Sequence, residues 1–165
     1  MRNYKIEIRW AFIFIGSLLL WMLLERLAGL HDEHIDMHQY LTNLYAIPAI
    51  LLYVFALLDK RKHFYNGEMS YKQGFISGLI ITLIVTVFSP LTQLLVSNVI
   101  TPDYFTNVIE YSLESGYYSS MAEAKAQFNL ENYIIQSTVG AFIMGLVTTA
   151  IVAIFTRKKS TTKMV

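Results

Sequence analysis

The sequence predicts an all-α integral membrane protein, a bundle of four transmembrane helices with a short helical outer loop between helices 3 and 4. Four apolar runs, at residues 10–30, 41–58, 74–100 and 133–156, come close to or exceed the roughly 20 helical residues that a hydrocarbon core of about 30 Å requires. Outside them lies nearly all the charge. The chain is 55% hydrophobic and 15% charged, with a mean hydropathy of +0.44, the balance of a membrane chain. Residues 1–165 read as a single membrane domain.

Arg2, Lys5 and Arg9 precede the first run, as basic residues precede a signal peptide. The run is too long for that and no small-x-small site follows it, so it is expected to stay as a span. The second run is the shortest that can still cross, and its Pro48 frees the carbonyl of Leu44. The third is long enough to tilt or protrude, and its Pro90 frees the carbonyl of Thr86. Along it Gly74, Gly78, Thr82, Thr86, Ser89, Gln93 and Ser97 recur in steps of three and four, so they form one small or polar stripe. Such a stripe suits close helix packing, with Gly78 against another helix and Ser77 turned away, and it equally suits a polar path.

The loop at residues 101–132 is patterned as two short helices. Phe105, Val108, Ile109, Ser112 and Leu113 share a face from which Asp103 and Glu110 are turned away; Gly116 ends that helix, and Ser120 with Glu123 has the spacing of a capping box opening the next. An ungapped recurrence links the third and fourth runs: Phe75, Gly78, Leu79 and Thr82 reappear as Phe142, Gly145, Leu146 and Thr149. Two spans drawn from one small apolar alphabet produce such matches by chance, so the repeat carries little weight here, although repeats are a feature of transporter folds.

Basic residues collect on the cytoplasmic side of short membrane loops. Eleven of the thirteen Lys and Arg fall before the first run (Arg2, Lys5, Arg9), between the second and third (Lys60, Arg61, Lys62, Lys72) or after the fourth (Arg157, Lys158, Lys159, Lys163). Both termini are therefore expected in the cytoplasm.

The strings GLHDEHID, YAIPAI, LLDKRKHFYNG, YKQGFISGLIITLIVT, SPLTQ and ITPDYF, spread over nearly the whole chain, resemble an uncharacterised family of small four-helix bacterial membrane proteins, a domain of unknown function. The resemblance implies an inner-membrane protein, mainly from Bacteroidota, and brings no activity, substrate or catalytic residue.

Candidate functional residues are few. Glu25, Arg26, Asn43, Gln93, Asn98 and Gln136 fall in the outward halves of their spans, which implies an outward-facing polar vestibule closed below by apolar packing. Of these Glu25, Arg26, Asn43, Gln93 and Gln136 are the candidate substrate or ion residues, since ionisable groups within a span are costly and point by default to function. Glu25 and Arg26 are about 100° apart on a helix, so each needs its own partner, with Asn43, Gln93 and Gln136 at similar depth. If the first helix ends nearer Leu24, Arg26 instead snorkels to the interface. If residues 31–38 are helical, His31, His34 and His38 share a face and are the candidate metal ligands; a solvated loop pairing them with Asp32, Glu33 and Asp36 is the simpler account.

The chain has no cysteine, no GxxxxGK[ST] phosphate loop and no serine elbow, so no catalytic residue and no cofactor is predicted, and an enzyme is the lesser reading. The net charge of +1, with no basic stripe outside the membrane flanks, argues against nucleic acid. The leading expectation is a structural or interaction role, with the lipid bilayer and a second copy or another membrane protein as partners. The alternatives are a transporter or solute-binding protein using the vestibule, and a metal-binding sensor or enzyme using the histidine segment.

Overall fold

The computed structural model describes residues 4–158; Arg2, Lys159 and Lys163 of the charge asymmetry lie outside them. The elements are α1 (Lys5–Leu27), α2 (Ile35–Leu41), a 3-10 turn (Thr42–Tyr45) leading into α3 (Ala46–His63), α4 (Tyr71–Leu95) continuing as a π turn (Val96–Ile100), α5 (Tyr104–Glu114), α6 (Met121–Gln127) and α7 (Leu130–Thr156). Among the described residues four helical stretches, Lys5–Leu27, Ile35–His63, Tyr71–Ile100 and Met121–Thr156, are long and apolar enough to cross a membrane. Leu27, Val87, Val99 and Phe155 are among the many large apolar side chains left exposed, which suits contact with lipid. The helices overrun the apolar runs at most ends because hydropathy marks only the apolar part of a helix, whereas caps decide where it stops.

Those caps are explicit. Gly29, at φ +75°, ends α1 in a Schellman motif: the Leu30 N–H donates to the Glu25 carbonyl and the Gly29 N–H to that of Arg26, both at 3.0 Å. Gly116, at φ +74°, does the same for α5, with Tyr117 donating to Ser112 and Gly116 to Leu113. Ser120 accepts from the Glu123 amide as expected, while the Glu123 carboxylate returns to the Ser119 N–H, one residue before the cap. A capping box that sequence reading passed over opens α4, where Ser70 Oγ accepts from the Gln73 N–H and Gln73 Oε1 from the Ser70 N–H.

The chain divides into two compact units. The first comprises residues 4–14, 47–87 and 140–158. Here α4 and α7 run antiparallel and approach through glycines. A Cβ at Gly78 would lie 2.6 Å from Thr149 Cγ2, and a Cβ at Gly145 would lie 2.6 Å from Thr82 Cγ2. Gly78 and Thr82 recur in the sequence as Gly145 and Thr149, and each Gly receives the Thr of the other helix. Tyr53 closes it, its hydroxyl 2.8 Å from that of Thr82. Gly78 thus faces a helix as expected, but Ser77 is not turned outward. It is buried and donates to Glu7 Oε1 at 2.8 Å. One residue is only about 100° around a helix, and α4 buries more than one stripe.

Glu7 and Lys60 form a buried ion pair in this unit, with Lys60 Nζ 2.8 Å from Glu7 Oε1 and 3.8 Å from the centre of the Phe64 ring. Asp59 gathers Arg9, the Trp10 indole N–H at 2.7 Å and His63 Nδ1 at 2.7 Å. Arg61 donates to the Thr156 carbonyl at 2.8 Å, covering the end of α7. Just past α7, Met69 and Lys158 exchange backbone hydrogen bonds of 3.0 and 2.8 Å.

The second unit comprises residues 15–46 and 88–139. α5 packs against α2 and α6, burying Val108, Ile109 and Ser112 while Asp103 and Glu110 stay exposed, the amphipathic pattern expected of it.

Because Thr149 is fully buried and β-branched, it has little freedom to turn away from an added methyl. Gly78→Ala and Gly145→Ala should each destabilise the protein by about 1–3 kcal/mol. Thr149→Ser, which removes Cγ2, should recover part of the first loss and not the second. Thermal unfolding of the single and double variants in detergent measures this, and equal behaviour of both pairs would contradict the reciprocal contact.

Candidate functional site

The second unit holds a cavity of ≈ 250 Å³. Ser89, Thr92, Gln93 and Ser97 of the third spanning stretch line it, so the later part of the small-residue stripe faces open volume where the earlier part faces a helix. Thr42, Thr101 and Ser137 add hydroxyls, Tyr104 and Tyr133 phenols, His31 and His38 imidazoles, and Leu18, Met22 and Val96 apolar surface. Pro90 and the π turn lie along this wall, and Thr101 donates its N–H to Val96, five residues back, at 2.8 Å. Such turns insert one extra residue and re-aim the side chains that follow.

At one wall the Schellman turn reverses the chain, so that His31 returns toward the Glu25 side chain of α1 instead of continuing outward. His31 Nε2 is 3.3 Å and His38 Nε2 3.5 Å from Glu25 Oε2. Glu25 and His31 are 3% and 4% exposed, and His38 is partly buried. The Trp21 indole N–H donates to Glu25 Oε1 at 2.5 Å. His31 Nδ1 and His38 Nε2 are buried with no hydrogen-bond partner among the described residues.

Tyr104, at the start of α5, covers this group. Its ring centre is 5.4 Å from that of His31 and 5.3 Å from that of His38, and its hydroxyl is 3.5 Å from His38 Nδ1 and 3.3 Å from that of Tyr133. Asn107, one turn on, donates to the His31 carbonyl at 2.8 Å. A smaller cleft of ≈ 60 Å³, lined by Arg26, Asp32 and Asp103 among others, shares His31, Thr101 and Tyr104 with the cavity. Those three side chains therefore border both spaces.

The candidate residues separate accordingly. Glu25 and Gln93 belong to this region, Gln93 donating to Ser97 Oγ at 3.0 Å. Arg26 donates to the Ile100 and Val99 carbonyls at the end of the π turn, not to Asn43, Gln93 or Gln136. Asn43 is exposed and donates to the Gln39 carbonyl of its own helix, Asn98 is exposed and donates to that of Leu94, and Gln136 is exposed. Of the three histidines His31 and His38 come together and His34 stays exposed, because residues 31–34 form a turn and the helix begins only at Ile35. Sequence reading missed Tyr104, Tyr133 and Trp21. Trp21 stands four residues before Glu25, a helical spacing that was legible; the phenols had no comparable signal.

Four helices long and apolar enough to span, with such a cavity among them, fit a multi-pass membrane protein. The family model described as "Protein of unknown function (DUF4199)" matches residues 9–158, and the chain belongs to that family. No curated protein and no solved structure matches it.

Burial first, and then the neighbouring Tyr133 phenol and Glu25 carboxylate, push the Tyr104 phenol well above its ordinary range. The unfolded chain then loses this proton at about pH 10 while the folded protein keeps it, so stability present below that pH falls as pH rises above it. Tyr104→Phe should remove this loss. The stability of the wild type relative to the variant should drop by up to about 1.4 kcal/mol per pH unit above about pH 10, measured by thermal unfolding in detergent.

Proposed function

We propose that this is a solute-binding or transporting membrane protein whose ligand enters the cavity of the second unit. One contrast carries the reading. In the first unit most of the buried polar side chains satisfy one another, as Glu7 does with Lys60 and Ser77, and Tyr53 with Thr82, and Thr86 Oγ1 alone is left buried without a hydrogen-bond partner among the described residues. In the second, hydroxyls, an amide, phenols and imidazoles border open volume, and two imidazole nitrogens are buried without a hydrogen-bond partner among the described residues. Polar groups within a span are costly, and a unit whose only task was packing would pair them. A role in docking partners has less support, since Gly78 and Gly145 are already occupied by Thr149 and Thr82 of the same chain.

The same reading places the protein in the cytoplasmic membrane of a bacterium, with both termini in the cytoplasm and α5 outside. Its support is the basic asymmetry, to which Lys62 and Lys72 belong on one side and Glu110, Glu114 and Glu123 on the other. Glu110→Cys should react with an impermeant thiol reagent in intact cells of this otherwise cysteine-free protein, and Lys62→Cys only after permeabilisation. The reverse pattern would overturn the orientation.

An aqueous cavity makes a second demand on cysteine chemistry, because thiolates form in water and not in lipid. Ser97→Cys and Ser137→Cys should react with a small hydrophilic methanethiosulfonate, whereas Val99→Cys, at an exposed apolar position, should not. Unreactive thiols at both 97 and 137 would remove the basis for a solute site.

A further inference from the structure

We propose that Glu25, His31 and His38 bind one divalent transition-metal ion, of which Zn2+ is the type, with its open coordination position toward the cavity. The inference rests on the reading of that cavity as a ligand site and names the ligand class.

The first argument is geometric. Ligand atoms about 2.1 Å from a tetrahedral ion stand about 3.4 Å from one another. Glu25 Oε2 is 3.3 Å from His31 Nε2 and 3.5 Å from His38 Nε2, and one ligand atom from each of the three residues lies within 4.8 Å of the other two. Two imidazoles and a carboxylate are a donor set that Zn2+ uses with one position left for water or solute. Softer thiolates are absent from the chain, and an all-oxygen shell for Mg2+ or Ca2+ is not what these side chains offer.

The second argument is what the group lacks. His38 Nε2 is buried within 3.5 Å of a carboxylate oxygen yet makes no hydrogen bond with it, and no other described residue supplies a partner. A buried nitrogen left this way bears its desolvation cost uncompensated, and a bound ion would satisfy it.

The surroundings are also those of a held ligand. The Trp21 indole N–H engages Glu25 Oε1 and leaves Oε2 for the ion. With Nε2 on the metal, the His38 Nδ1–H faces the Tyr104 hydroxyl, which in turn lies next to that of Tyr133, the kind of outer partner that orients a ligating imidazole. His31 and His38 both line the cavity, so an ion between them is reachable from it.

The rival account is a carboxylate neutralised by a protonated imidazole with no affinity for metal. Zinc titration of the purified full-length protein by calorimetry, with Co2+ absorption as a second readout, separates the two. The expected result is a one-to-one complex in the wild type and in His34→Ala, with a Co2+ ligand-field spectrum of four-coordinate intensity. Glu25→Gln, His31→Ala and His38→Ala should each weaken binding by at least about 100-fold, more than loss of an outer partner does. His38→Gln, at the least buried of the three positions, is used if Glu25→Gln fails to fold. No zinc binding by the folded wild type would overturn the proposal, and so would equal weakening by His34→Ala and His31→Ala, which would mark a surface histidine site. Failure here leaves the cysteine reactivity at positions 97 and 137 intact, so the metal and the cavity readings fall separately.

Discussion

Lipid offers no hydrogen bonds, so each polar group carried into a span must find its partner within the protein. The two units meet this demand differently. Glu7 is answered by Lys60 and Ser77, and the hydroxyls of Tyr53, Thr82 and Thr149 lie together. A buried ion pair of this kind is weak evidence for stability, yet removing one partner would leave an uncompensated charge, so both members are bound to persist together. Thr86 Oγ1 of the first unit is left without a hydrogen-bond partner among the described residues, and in the second unit two imidazole nitrogens are left so beside a cavity.

Helix approach follows from the same constraint. Without a hydrophobic force between spans, association depends on close packing and on hydrogen bonds across the contact. Gly78 and Gly145 supply the first, and Thr82 and Thr149 the second. The four residues form one reciprocal contact, each Gly lying against the Thr of the other helix.

The spans, the two-helix loop and its Gly116 and Ser120 boundaries were legible because run length, amphipathic spacing and cap residues act locally. The third-span stripe was legible as a face, but what the face meets depends on neighbours, and spacing is silent on them. Ser77 shows the limit, since a one-residue offset does not take a side chain out of the interior when a second helix stands beside the first. The histidine segment shows it again. Read as a helix it groups His31, His34 and His38, whereas Gly29 ends the preceding helix in a left-handed turn and leaves residues 31–34 non-helical, so His31 stays with His38 and His34 is left exposed. Glu25 was recognisable as an ionisable residue in a span, and its imidazole partners were six and thirteen residues away across that turn.

The neighbour of Glu25 explains why, among the described residues, the site is built around a carboxylate with no lysine or arginine paired to it. Arg26 is the nearest cation in sequence, but on a helix it points about 100° away and donates to the carbonyls of Val99 and Ile100. Those carbonyls belong to the last turn of a spanning helix and have no helical partner, so a guanidinium there answers a need of its own. The π turn that ends in them is the one that directs Ser97 into the cavity wall. Arg26 is thus committed to holding that wall, and Glu25 is left to the imidazoles and to whatever they admit. Histidine suits that position better than lysine or arginine, because a neutral imidazole can share a carboxylate with a metal ion, whereas a fixed cation would repel one.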